Sequence, residues 1–111
     1  MSPTQTTWTV EITDKAAEEI EAMPPDIQAR LARTAHMIEA VGLTKMAEPH
    51  VKHLQGKLWE MRVKGKDGIA HALYVTATGK RVVVVLAFVK KTQKTPPAMI
   101  RLALKRAEEI E

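Results

Sequence analysis

Arg62, His71, Lys90, Lys91 and Lys94 are the residues whose types and spacing point to chemistry. Guanidinium and ammonium groups neutralise phosphate, and an imidazole with an unperturbed pKa near ~6.5 can exchange a proton beside them. In Leu58-Trp-Glu-Met-Arg-Val-Lys64 a period of two puts Trp59, Met61 and Val63 on one strand face, and Glu60, Arg62 and Lys64 on the other. In Ile69-Ala-His-Ala-Leu-Tyr-Val75, His71 shares its face with Ile69, Leu73 and Val75. Three lysines stand where the apolar run Val82–Val89 ends. Antiparallel pairing of these segments predicts a phosphate-binding cleft that unites Arg62, His71 and Lys90 or Lys91 on one sheet surface. The same residues have plainer readings. Arg62 can cap a sheet edge and pair with Glu60, His71 can be a half-buried, hydrogen-bonded histidine, and the lysines can be solvated exit charges.

Other chemistries are excluded by composition. The chain has no cysteine, which removes disulfides, thiolate metal sites and a thiol nucleophile. Ser2 is the only serine and lies at a terminus expected to fray over residues 1–7, so no serine triad is available. His50 and His53 are three apart in a segment expected to be irregular, with only Glu48 nearby, so no metal site is expected. There is no phosphate-binding glycine loop and no dinucleotide fingerprint, and Gly65-Lys-Asp-Gly68 reads as a turn. No cofactor is expected.

Charge points to the partner. Residues 1–40 carry Lys15, Arg30 and Arg33 against seven acids. Residues 41–95 carry eleven lysines and arginines against Glu48, Glu60 and Asp67. The last sixteen residues are balanced, so the net charge of +4 is concentrated in the middle of the chain. A field of this sign attracts nucleic acid.

The elements that must position these residues follow from patterning. Trp8–Ile12 alternates as a short strand. Thr13 caps a helix through Ala22, with Asp14 in its first turn. Met23-Pro-Pro25 breaks it, and Pro25 suits the first position of a second helix that Gly42 ends. Ile27, Leu31, Ala35, Ile38 and Val41 form its apolar stripe, and the two helices should form an antiparallel hairpin. Residues 43–57 read as irregular and basic. Strands follow at Leu58–Lys64, Ile69–Thr76 and Arg81–Val89, joined by Gly65–Gly68 and Ala77–Lys80. The last, continuously apolar, belongs in the sheet centre. Thr95 caps a final helix with Pro96 at its first position and Ile100, Ala103, Leu104, Ala107 and Ile110 on its apolar face. The order is β-α-α-β-β-β-α, an α+β domain of 111 residues with helices packed on a small twisted sheet. The longest apolar run has eight residues, Val82–Val89, too short to span a membrane, and the N-terminus lacks the pattern of a signal peptide; the cytoplasm is the expected address.

Leu58-Trp-Glu-Met-Arg62, Leu73-Tyr74 and Phe88-Val-Lys-Lys-Thr-Gln-Lys-Thr-Pro96 resemble the phage-derived branch of the RelE/HigB toxins of type II toxin–antitoxin systems, over about residues 8–111. The resemblance implies a RelE-like fold, a helical hairpin packed on a small twisted antiparallel sheet, and cleavage of mRNA, usually in the ribosomal A site, without a metal. The ribose 2′-hydroxyl attacks its adjacent phosphate and basic side chains stabilise the phosphorane. On this basis Arg62, His71 and Lys91 are the implied catalytic residues, and Lys52, His53, Lys57, Lys64, Lys90, Gln93 and Lys94 the implied RNA contacts. His71 falls where relatives have arginine. If the surrounding lysines keep it neutral it can serve as a base; otherwise the position only stabilises charge. The implied partners are the ribosome, mRNA and a helix-turn-helix antitoxin that joins the toxin in a hetero-oligomer. Two alternatives share the fold or the charge: a ParE-like gyrase inhibitor without enzymatic activity, which usually lacks the Lys-Lys-x-Gln-Lys exit, and a basic RNA-binding accessory protein.

Overall fold

The computed structural model describes residues 7–43, 46, 51–92 and 94–110. In chain order these form β1 (Thr9–Ile12), α1 (Asp14–Glu21), α2 (Pro25–Val41), β2 (Val51–Gln55), β3 (Leu58–Gly65), β4 (Gly68–Ala77), β5 (Arg81–Lys90) and α3 (Pro97–Ala107). The strands make one sheet in the order β1-β5-β4-β3-β2. β1 runs parallel to β5, and every other pair is antiparallel. The segment read as irregular therefore contains a strand, β2. Its register shifts between His53 and Gln55, and that bulge breaks the period of two by which a strand is recognised.

The helical hairpin starts and stops as its residues dictate. The Thr13 hydroxyl accepts from the Ala16 N–H at 3.3 Å, Pro25 opens α2, and Gly42 closes it at φ +91°, a conformation that favours glycine. Ile27, Leu31, Thr34 and Ile38 are the buried face of α2, whereas Val41 at its last position is exposed. This face packs with Ala16 of α1 on Met61, Val63, Ala70, Ala72, Tyr74 and Val84. Gly65 marks the closest approach: a Cβ there would collide with the Ile27 side chain. The neighbouring turn is tied down by Asp26, whose carboxylate accepts from the Lys66 N–H at 2.9 Å, and by Arg30, which donates to the Lys64 carbonyl at 2.8 Å.

The other sheet face carries the second cluster, Leu58, Leu73, Val75, Val83, Val85 and Leu86 under Ala103 and Ala107 of α3. Thr95 does not cap this helix. Pro97 follows Pro96 and forces it extended, ψ 141°, so Pro96 occupies the cap position without a side-chain hydrogen bond. The Thr95 hydroxyl is released to bond elsewhere, into the site described next.

Candidate nucleic-acid interface

The two-residue turn Lys66-Asp67 sets Gly65 opposite Gly68, and from there Arg62 of β3 lies directly opposite His71 of β4. His71 in turn lies opposite Phe88 of β5, and Lys90 opposite Ile69. Register therefore places Arg62, His71 and Lys90 on one sheet surface, beyond the part that α3 covers. Lys64, on the Arg62 face of β3, is exposed, as are Lys91 and Lys94 in the connection to α3. Gln93 lies outside the described residues.

The surroundings of His71 differ from the expected ring of lysines. The side chain is 0% exposed, stacked on Phe88 with ring centroids 5.0 Å apart and planes 6° apart. Its Nδ1 faces Glu60 Oε2 at 3.1 Å, and its Nε2 faces the Thr92 carbonyl at 3.1 Å. Both partners are acceptors. A neutral imidazole leaves one bare nitrogen lone pair against an oxygen, so the ring that satisfies both contacts carries two N–H groups.

Glu60 is the hub. Only 1% exposed, it accepts from the Thr95 hydroxyl at 2.6 Å and from His71, and Arg62 Nε stands 3.6 Å from its other oxygen. Burial pushes its carboxyl up, but the hydrogen bonds from His71 and Thr95 and the charges of His71 and Arg62 outweigh this and hold it below its ordinary value. The network ties β3 and β4 to both ends of the β5–α3 connection, at Thr92 and Thr95. It thereby anchors the connection at Thr92 and Thr95, next to Lys91 and Lys94.

Arg62 is the member that reaches outward. Its side chain is 12% exposed; Nε is buried without a hydrogen bond, and its terminal nitrogens bond no described residue. The guanidinium is thus positioned by Glu60 and packing, with its outer fork available to an anion. Glu60, Thr95 and Phe88 were missed in the sequence as site residues. The available signal was the histidine within an apolar strand face, which needs a partner, and an acid diagonal to it on the neighbouring strand.

Lys52, His53 and Lys57 lie at the β2–β3 hairpin, all exposed. Lys52 opposes Glu60, and His53 opposes Trp59 on the other face of the sheet. His50 lies outside the described residues, and among the described residues no three metal-ligating side chains converge. Nor is any described helix long and apolar enough to cross a membrane.

Solved structures that share this fold include RelE proteins, free and in complexes. The chain is similar to the free E. coli RelE toxin in a double arginine-to-alanine form, at 13% identity and a TM-score of 0.66, covering 91% of this chain and 98% of that one. It is similar to the RelBE2 toxin–antitoxin complex of Mycobacterium tuberculosis, at 19% identity and 0.59, covering 77% and 100%. The archaeal RelE–RelB complex from Pyrococcus horikoshii OT3 matches at 16% identity and 0.58, covering 80% and 100%. At these identities the likeness establishes a RelE-like fold. No curated protein sequence matches significantly. A family profile, that of the phage-derived Gp49-like proteins, matches residues 18–108. With most of its length so matched, the chain belongs to the Gp49-like family of phage-derived proteins.

Proposed function

We propose that this protein is the toxin of a type II toxin–antitoxin pair and that it arrests translation by cleaving mRNA on the ribosome. The observation that carries this reading is the Arg62 guanidinium, braced from behind by Glu60 and presented at the mouth of a surface whose exposed charges are Lys64, Lys91 and Lys94. The RelE-like fold and the toxin–antitoxin complexes among its structural relatives support it.

In this reading the RNA backbone lies across Arg62 and the β5–α3 connection. The 2′-hydroxyl gives up its proton to solvent water as its oxygen attacks phosphorus, the P–O5′ bond breaks, and the products are a 2′,3′-cyclic phosphate and a 5′-hydroxyl, whose proton comes from water. Negative charge grows on the non-bridging oxygens as the phosphorane forms. Arg62 meets it with a fixed fork, and Lys91 with a mobile point charge. Lys52, His53, Lys57, Lys64, Lys90, Gln93 and Lys94 contact the RNA. The antitoxin, a helix-turn-helix protein, covers the basic surface in the resting hetero-oligomer.

Induced expression tests the proposal. Translation should stop, primer extension should show transcripts cut within codons, and co-expression of a small helix-turn-helix gene from beside the toxin gene should restore growth. A DNA-damage response with intact transcripts would instead indicate gyrase inhibition. Growth without either response would leave a basic RNA-binding protein.

A further inference from the structure

The exposed aromatic pair at the β2–β3 hairpin lies outside the Arg62 site. Trp59 is 38% exposed, on the edge-proximal strand β3, and its indole N–H bonds no described residue. His53 stands opposite it on edge strand β2, with ring centroids 5.0 Å apart and planes tilted by 59°. His53 is itself fixed, because its Nε2–H donates to the Gly56 carbonyl at 2.6 Å. Gly56 makes that turn at φ +56° with open space around it, and Lys57 follows, exposed. From Val51 to Trp59 the hairpin carries Lys52, His53 and Lys57 and no acid.

We propose that Trp59, braced by His53, is a stacking platform for one unpaired RNA base, with Lys57 on the neighbouring phosphate. This rests on the RNA-cleaving reading above and extends it to a second contact point. A large, exposed π surface beside Lys57, on a hairpin with no acid from Val51 to Trp59, suits a nucleobase, because every base has a π face and every nucleotide a phosphate. An apolar protein segment would find charged neighbours on this hairpin instead. Trp59 is three residues from Arg62, roughly 10 Å along the strand, on the opposite sheet face. A single strand leaving Arg62 and turning over the β2 edge meets the indole a few nucleotides away. The platform would thus bind bases outside the cleaved step and favour purines, whose stacking area is larger.

Trp8 is the only other tryptophan, so Trp8→Phe leaves Trp59 as the sole indole reporter. The full chain carrying this change is titrated with a 2′-O-methyl oligonucleotide, which lacks the attacking hydroxyl and survives the experiment. Fluorescence of Trp59 should be quenched saturably, and an abasic oligonucleotide of equal length should quench far less. Trp59→Ala should weaken binding about 5- to 150-fold, the worth of one stacked base, with the slope of log affinity on log salt unchanged. Trp59→Phe should recover most of the loss, and Lys57→Ala should instead lower the magnitude of that slope by about 0.7. Circular dichroism checks that each variant is folded. Equal quenching by the abasic strand, or undiminished affinity in Trp59→Ala, would overturn the platform while leaving RNA binding intact. No binding of any oligonucleotide by the unmodified chain, on or off the ribosome, would overturn the RNA reading itself and the platform with it.

Discussion

If His71 is held by two acceptors, its removal should act first on the structure and only through it on RNA. His71→Ala deletes a charge-assisted bond to Glu60, a bond to the Thr92 carbonyl and the stack on Phe88. It also leaves a carboxylate that is 1% exposed with Thr95 and Arg62 alone. Breaking one side of a buried pair costs about 3–5 kcal/mol. Glu60→Gln keeps the shape and one acceptor oxygen, and should cost roughly 2–4 kcal/mol. The double variant should cost less than the two together, by a coupling of about 1.5–3 kcal/mol, the worth of a hydrogen bond between charged groups. A small domain holds about 5–15 kcal/mol in all, so the variants remain folded in the cold but melt roughly 10–20 °C lower. Urea titrations at neutral pH, followed by circular dichroism, give the cycle. Imidazole ¹⁵N spectra of the unmodified chain should show two bound protons on His71. A coupling below about 0.5 kcal/mol, or one bare ring nitrogen in those spectra, would refute the two-acceptor arrangement and return His71 to the list of candidate bases.

Arg62→Ala should lower the rate of mRNA cleavage on programmed ribosomes by about 10²–10³, with the circular dichroism spectrum kept, and Arg62→Lys should recover only part of it because the fork is lost. Changing Lys90 and Lys91 together to Ala should lower the magnitude of the salt slope of single-stranded RNA binding by about 1.4, measured by anisotropy. Gly65→Ala should destabilise the fold by about 1–3 kcal/mol in urea melts, because its methyl enters the Ile27 side chain. Glu60 is held below its ordinary value of 4.5, so its contribution to stability is complete above that pH and declines as pH falls through the folded-state value. Melting temperatures on the acid side should therefore fall more steeply for the unmodified chain than for Glu60→Gln.

The parts of the fold that local chemistry determines were legible. Thr13, Pro25 and Gly42 mark helix ends because a hydroxyl, a missing N–H and a positive φ each fit only one kind of position. Two other features depend on what lies next door. β2 carries only two apolar residues, Val51 and Leu54, and each packs on a different face of the sheet, so neither face of the strand shows an apolar stripe. β1 finds a parallel partner in β5, some seventy residues away, and no residue of β1 encodes that choice. Thr95 shows how a correct local rule can lose. Threonine is a good cap, but two prolines follow it. The first is forced extended by the second and takes the cap position itself.

The same distinction divides the site. A turn at Lys66-Asp67 was legible, and it alone dictates that Arg62 faces His71 three steps back along each strand. What the period of two cannot say is which face is wet. Glu60 shares the face of Arg62, and alternation beside Trp59 and Met61 makes that face look solvated. Yet the β5–α3 connection returns over it and buries the carboxylate. Once covered, Glu60 must keep its partners, and His71 and Thr95 are the donors within reach. The requirement runs outward from there. A carboxylate buried at the root of the site fixes Arg62 behind its fork and the lysine-bearing connection through Thr92 and Thr95. The outward cations of this surface are therefore positioned by a carboxylate buried behind them.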